Sequence, residues 1–259
     1  EITVWLEFRR VLFRSKRKIA LVTDTSADIP KSLVEKYHVH FIPLSIFVGH
    51  HEALDGIGID SDDLYKTLNQ WDIIASTATP KMGYVKRMLD FLKSTHDHVF
   101  AITLSSNMSG TFDAVTKAAG DDSRVTLFDS KSTAGSQGWL VAKAGEMIEN
   151  GESVETIHKA LLQYRSSPQI YAALDSVSSM VASGRVSALK GRIAQAVNLK
   201  PIISISKEGK GVIYDKAFSR HASLKKLLSI VLQKHNKTPV KRYSVLHVNE
   251  HELAKSFAE

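Results

Sequence analysis

Short apolar runs separated by polar turns recur along this chain, and several of the runs have the length of a strand. Three such runs lie in the first half, at residues 19–23, 39–48 and 99–104. An unbroken apolar run is typical of a strand that is covered on both faces of its sheet. Between the runs, apolar residues return every three or four positions, as at Val85, Leu89 and Leu92, which predicts amphipathic helices. This alternation favours an α/β fold with a mainly parallel sheet.

Turn and cap residues extend the pattern to the rest of the chain. Gly151 is expected to follow the end of a long helix over 133–150, and Ser153 to cap the next helix. The segment 208–211 is typical of an antiparallel hairpin turn. Further strands are predicted at 125–128, 170–174, 201–206, 212–218 and 243–248, and further helices at 61–69, 111–119, 177–182, 189–198, 224–235 and from 250 onward.

Two domains are expected, because the Ser-Ser-Pro sequence at 166–168 interrupts the pattern. The first is an N-terminal α/β domain of residues 16–167, and the second is a smaller α/β domain of residues 168–259. Residues 1–15 mix apolar and arginine side chains and lack the small-residue cleavage site of a signal peptide. We interpret them as a non-native leader that lies outside the fold.

Composition places the 259-residue chain among globular proteins, with 43% hydrophobic and 24% charged residues. No apolar run approaches the ~20 residues that span a bilayer. The chain has no cysteine, which excludes a disulfide framework and thiolate chemistry and agrees with a cytoplasmic location.

The net charge of +7 is unevenly distributed. Residues 185–259 hold 15 lysines and arginines against 5 acidic residues, whereas residues 16–184 hold 16 against 20. A basic second half favours an acidic partner. Nucleic acid is one candidate, but the chain has no aromatic-rich basic stripe and no recognised nucleic-acid-binding motif.

Three polar turns, at 24–28, 76–79 and 105–111, are rich in serine and threonine and stand at predicted strand ends or helix starts. In parallel sheets, ligands bind where the carboxyl ends of strands meet loops. An ordinary helix cap uses the same residue types. The recurrence of such turns at three places favours a binding site.

The turn before residue 111 has the chemistry of an anion site. The first N–H groups of a helix have no internal partner and carry partial positive charge, so they favour a carboxylate or a phosphate. Gly110 allows a ligand to approach the backbone. The hydroxyls of Ser106, Ser109 and Thr111 add donors, and Ser26 offers a hydroxyl in the first turn.

Catalytic signatures are missing from the sequence. It contains no Gly-x-Ser-x-Gly, no His-Glu-x-x-His, no Walker loop and no Gly-x-Gly-x-x-Gly, and its histidines are scattered. Hydroxyls and backbone donors without an acid, base or metal suit the binding of an anion that is not transformed. An enzyme acting on an anionic small molecule at the same turns is the alternative. Arg185, in a glycine-preceded turn, is either a functional arginine or a surface ion-pair partner.

Four segments in this order resemble the DegV family: Thr-Asp-Thr-Ser-Ala-Asp-Ile-Pro at 23–30, Ser-Thr-Ala-Thr-Pro at 76–80, Leu-Ser-Ser-Asn-Met-Ser-Gly-Thr at 104–111 and Ser-Gly-Arg-Val-Ser at 183–187. Members are bacterial fatty-acid-binding proteins, and some are the binding subunit of fatty acid kinase. The resemblance implies a two-domain α/β fold with one fatty acid between the domains and its acyl chain in an apolar tunnel. It implies no cofactor and no metal, a kinase partner, transient contact with a membrane, and no nucleic acid.

The resemblance also implies site residues. The fatty carboxylate is expected to be held by Thr77 and Ser109, with Arg185 near the carboxylate end or the kinase. This chain has Thr-Ala-Thr-Pro where the family has Thr-Ser-Gln-Pro, so Thr77 is kept while residues 78 and 79 differ. The family continues past its last helix to a His-Thr-Gly-Pro-Gly-like segment, whose histidine approaches the carboxylate. Because the chain ends at Glu259, we expect a truncated C-terminal domain.

Overall fold

Four parallel strands form the centre of the first lobe, which comprises residues 19–164. The structure, a computed structural model, describes residues 19–57, 61–71, 75–176, 185 and 198–258. The strands of this sheet are β1 (Ile19–Asp24), β2 (His40–Ile42), β6 (His98–Thr103) and β7 (Val125–Asp129). Their order is β2-β1-β6-β7, and every pairing is parallel. The predicted parallel α/β sheet is confirmed.

Helices cover both faces of this sheet, which explains the unbroken apolar runs. Successive strand residues point to opposite faces, so Ile19 and Leu21 lie in one buried cluster and Ala20 and Val22 in the other. The helices of the first lobe are α1 (Lys31–Tyr37), α2 (Ser61–Trp71), α3 (Met82–Thr95), α4 (Thr111–Ala119), α5 (Ala134–Glu149) and α6 (Val154–Tyr164). Helices α5 and α6 contribute to the first cluster, and α3 and α4 to the second.

The first lobe also contains a smaller antiparallel sheet, which corrects one prediction. Its strands are β3 (Ser45–Val48), β4 (His51–Leu54) and β5 (Ser76–Ala78), in the order β4-β3-β5. The apolar run at 39–48 is therefore two strands in two sheets. Pro43 lacks an N–H and cannot donate to a ladder, and the N–H of Leu44 donates to Thr25 Oγ1 at 3.1 Å. The run breaks at these two residues.

The second lobe comprises residues 171–176 and 198–237. Strands β8 (Tyr171–Ala173), β9 (Lys200–Ile205) and β10 (Gly211–Ala217) form an antiparallel sheet in the order β10-β9-β8. Helix α7 (Arg220–Lys237) contacts all three strands. Strands β9 and β10 form the predicted hairpin. The domain boundary at 166–168 falls between α6 and β8 and stays a prediction.

The predicted strand at 243–248 is wrong. This segment has no strand pairing with the sheets of the described residues, and Tyr243 and Val248 are exposed. Strand-forming residues adopt a strand only where a sheet edge accepts them. The Tyr243 hydroxyl instead donates to the carbonyl of Ala258, at the end of α8 (His251–Ala258).

Several predicted features lie outside the described residues. They are the leader at 1–15, the helix at 177–182 and nearly all of the helix at 189–198. Within the described part of the chain, no helix is both long and apolar enough to cross a bilayer. Over the same residues, no three His, Cys, Asp or Glu side chains cluster as metal ligands would.

Candidate functional site

The polar turns at 24–28 and 104–111 meet at the carboxyl edge of the parallel sheet. Strands β1 and β6 are direct neighbours, so the turns that follow them share one edge. The backbone N–H of Leu104 donates to Asp24 Oδ2 at 2.7 Å. The other oxygen of this carboxylate accepts from the hydroxyl of Ser26 at 2.5 Å. Asp24 therefore ties the two turns together.

The third polar segment reaches the same edge from the antiparallel sheet. In β5, Thr77 pairs with Ile46 of β3. Directly after β5, the methyl group of Thr79 lies 3.2 Å from where a Cβ on Gly110 would stand. The segment at 76–79 thus packs against the start of α4. Thr77 itself is exposed.

Ser109, Gly110 and Thr111 form the start of α4, as predicted. The hydroxyls of Ser109 and Thr111 lie 2.8 Å apart and share a hydrogen bond, and the N–H of Thr111 donates to Ser109 Oγ at 3.2 Å. Ser109 is half-buried, Gly110 exposed and Thr111 fully buried. Ser109 and Gly110 therefore present a hydroxyl and an open backbone at the positive end of a helix.

Ser106, the third predicted hydroxyl of this turn, hydrogen-bonds to the carboxylate of Asp129. Its hydroxyl donates to Asp129 Oδ2 at 2.7 Å, and its N–H donates to Asp129 Oδ1 at 3.3 Å. Asp129 ends β7 and also accepts from the N–H of Lys131. Ser106 is exposed and joins the turns after β6 and β7. Its predicted role as a ligand residue stays a prediction.

A buried polar network behind Ser26 was not assigned a role by the sequence. Gln137 of α5 donates from Nε2 to Thr23 Oγ1 at 3.0 Å and to Asp24 Oδ2 at 3.2 Å. Burial raises the pKa of Asp24, while hydrogen bonds from Ser26, Leu104 and Gln137 lower it. In the sequence, Asp24 could have been identified as an acidic residue at the end of an apolar strand. Gln137 lies within a helix and gave no signal in the local pattern.

The tip of the β9–β10 hairpin, residues 206–210, docks on the turn after β6. Ser105 Oγ donates to the carbonyl of Gly209 at 2.7 Å, and Asn107 Nδ2 donates to the carbonyl of Glu208 at 2.6 Å. This contact links the second lobe to the candidate site. Local periodicity predicts the hairpin but carries no information about where its tip lies.

The structure gives only partial information about the remaining predicted features of the site. Arg185 is described by itself, with neighbours on both sides outside the described residues, and it is exposed. Its functional role, like those of Thr77, Ser109 and Ser26, stays a prediction. The apolar tunnel that the resemblance implies stays a prediction as well.

Comparison with known proteins gives a consistent result. The model of the DegV family of uncharacterised proteins matches residues 18–259. A DegV domain-containing protein of Clostridium perfringens is 33% identical over 220 residues, which are 84% of this chain and 78% of the relative.

Solved structures agree with the fold. The crystal structure of DegV, a fatty acid binding protein from Bacillus subtilis, matches with a TM-score of 0.83 at 28% identity, covering 93% of this chain and 86% of that one. A DegV family protein from Eubacterium eligens, loaded with heptadecanoic acid, matches with a TM-score of 0.74 at 23% identity over the same shares of the two chains. The fold at the candidate site is therefore one that solved proteins share.

Proposed function

The chain belongs to the DegV family, and from this premise we propose that it binds a long-chain fatty acid at the edge where its three polar turns meet. The observation that supports this most directly is the packing of Thr79 against Gly110, where a Cβ on the glycine would stand 3.2 Å from the Thr79 methyl group. This contact brings the segment that holds Thr77 to the helix start that holds Ser109. Two hydroxyls on separate elements then converge on one carboxylate.

Hydrogen bonds, rather than an ion pair with the adjacent lysine, hold the head group. Lys81, a basic residue next to this edge, is engaged by Glu52 at 2.8 Å, and Asp113 adds a negative charge to the first turn of α4. A carboxylate taken out of water requires hydrogen bonds. Hydroxyls and the N–H groups at the start of α4 supply them.

The acyl chain supplies the driving force. Each buried methylene contributes about 0.8 kcal/mol, so a long chain in an apolar tunnel offsets the cost of desolvating the head group. The DegV protein of Bacillus subtilis is a fatty acid binding protein, which supports the same ligand class here. The tunnel is expected between the proposed domains of residues 16–167 and 168–259.

We propose a carrier rather than an enzyme. The serine hydroxyls at this edge hydrogen-bond to hydroxyls, carboxylates, an amide oxygen or a backbone carbonyl, and none of the described bonds pairs one of them with a histidine base. The carboxylate would be phosphorylated by a separate fatty acid kinase in the cytoplasm, with transient membrane contact for loading. Arg185 is proposed to face that partner or the carboxylate end.

Replacement of Ser109 or Thr77 tests this function. We expect Ser109→Ala and Thr77→Ala each to weaken hexadecanoate binding about 10- to 100-fold in calorimetry, because a hydrogen bond to a charged group contributes about 1.5–3 kcal/mol. The control is Ser123→Ala, an exposed serine in the loop before β7, which should bind as the parent does. Parent-like binding by both site variants would exclude the assignment. Turnover of a fatty acid by the isolated chain would favour an enzyme.

A further inference from the structure

The hairpin tip of the second lobe lies on the turn that leads into the candidate site. Ser105 is fully buried and donates to the carbonyl of Gly209, while Asn107 donates to the carbonyl of Glu208. The hydroxyl of Ser105 also accepts from the N–H of Asn107 at 3.2 Å. The tip therefore accepts hydrogen bonds from two side chains of the turn at 104–110.

The same turn is tied at its other side to the loop after β7. The N–H of Ser105 donates to the carbonyl of Ser132 at 2.8 Å, and Ser106 donates to Asp129. Ser109 follows directly, since its N–H donates to the carbonyl of Ser105 at 3.1 Å. A displacement of Ser105 is thus transmitted to Ser109 through one hydrogen bond and a short stretch of chain.

Position 209, in the hairpin tip, has room only for glycine. Gly209 has a φ of 84°, and a Cβ there would overlap Ser105 Oγ and lie 3.0 Å from the Cα of Lys131. Both lobes are in direct contact at this point. Hydrogen bonds within the hairpin, from Ser206 and the backbone, lower the pKa of Glu208 most, and Lys131 of the first lobe lowers it further.

We infer that the hairpin tip is a positioning element for the carboxylate site: its docking on Ser105 and Asn107 holds the 104–110 turn so that Ser109 meets the ligand head group. This inference rests on the proposed function and deepens it. It makes head-group recognition depend on contact between the lobes. The inference concerns the head group, so we expect the binding of an acyl chain without a carboxylate to depend little on the tip.

Gly209→Ala tests the inference against a matched control. Gly151 has a φ of 77°, and a Cβ at this position would have no neighbour within 4 Å, so Gly151→Ala carries the same backbone strain without the clash. We expect Gly209→Ala to bind hexadecanoate at least tenfold more weakly than Gly151→Ala does. Binding of hexadecanol, which lacks the carboxylate, should differ less than twofold between the two variants. Equal losses for both ligands, or hexadecanoate binding that matches the control, would overturn the positioning role.

Amide hydrogen exchange without ligand separates this inference from the proposed function. In Gly209→Ala, the N–H groups of residues 104–111 should exchange at least tenfold faster than in Gly151→Ala, whereas those of β1 should not differ. Asn107→Ala, which removes the side-chain bond to the Glu208 carbonyl without a clash, should give a smaller acceleration in the same residues. Unchanged exchange in both variants overturns the inference whether or not the parent binds fatty acid. Failure of the parent to bind hexadecanoate, with accelerated exchange still present, overturns only the proposed function.

Discussion

At the scale of single residues, Asp24 shows how one side chain organises the edge of a sheet. It is fully buried and accepts from the backbone N–H groups of Ser26 and Leu104 and from side chains of Ser26 and Gln137. A buried carboxylate without such donors would be strongly unfavourable. The donors come from two strand ends and a helix, so Asp24 holds together three elements that are distant in sequence.

Replacement of Asp24 by alanine should destabilise the fold. The buried N–H of Leu104 and the part-buried N–H of Ser26 lose their acceptor, and Gln137 Nε2 loses one of its two. An unsatisfied buried donor costs about 1–3 kcal/mol. We expect Asp24→Ala to lower the free energy of unfolding in urea by about 3 kcal/mol at pH 5. The control is Asp121→Ala at an exposed loop position, with an expected change within about 0.5 kcal/mol. Equal stability of the two variants would contradict this role.

The loss of stability in Asp24→Ala should depend on pH in a defined direction. Burial raises the pKa of Asp24, so the folded state holds the proton more tightly than the unfolded chain. The stability that this linkage contributes is fully present below the ordinary carboxyl pKa, near 4, and is lost as pH rises through the raised pKa. The difference in the free energy of unfolding between the parent and Asp24→Ala should therefore become smaller as pH increases. Urea unfolding at several pH values measures this difference. A difference that grows with pH would contradict the expected sign.

At the scale of elements, helix α5 packs unusually close to its neighbours through glycine. A Cβ on Gly138 would lie 2.5 Å from the carbonyl oxygen of Asp28, and one on Gly145 would overlap the ring of Tyr37. Glycine weakens an isolated helix by about 1 kcal/mol relative to alanine. The close approach to the 24–28 turn and to α1 is the reason that these positions carry glycine.

Gly138→Ala should lower stability in spite of the gain in helix propensity. The Asp28 carbonyl belongs to the backbone and cannot move aside cheaply, and such overpacking costs about 1–3 kcal/mol. Gly83→Ala in α3 is the control, because its nearest neighbour is the flexible end of Arg87 at 3.5 Å. It should stabilise the protein by up to about 1 kcal/mol. Thermal unfolding compares the two variants. Stabilisation by both would show that the 24–28 turn can shift at little cost to relieve the clash.

At the scale of the whole molecule, a parallel-sheet lobe carries the polar edge that we propose for the head group, and an antiparallel lobe touches it through a hairpin tip. In α/β sheets the strand ends gather loops from many parts of the chain. Here the gathered loops supply hydroxyls, and the tip joins them from the second lobe. A ligand bound at this edge would stabilise both lobes together.

A fatty acid series tests that expectation. If the tail is buried, affinity should rise with chain length from decanoate to hexadecanoate by up to about fourfold per methylene, which corresponds to about 0.8 kcal/mol. The unfolding temperature should rise in parallel at a fixed ligand concentration, because a ligand that binds only the folded state stabilises it. Calorimetry and thermal unfolding measure the two quantities. Affinity that does not depend on chain length would contradict burial of the tail.

The sequence by itself determined the alternation of strands and helices, the hairpin between β9 and β10, the Ser153 cap and the Ser109–Thr111 helix start. These features depend on local periodicity and on residue types at helix ends, which neighbouring residues decide. The bounds of α4 agree with the prediction to the residue.

Only the tertiary structure decided how these parts meet. The division of 39–48 into two strands, the failure of 243–248 to form a strand, the contact of Thr79 with Gly110 and the docking of Gly209 on Ser105 all join residues that are distant in sequence, or depend on a partner edge. A local pattern records which face a residue buries. It does not record which segment covers that face, because packing between distant elements makes that choice.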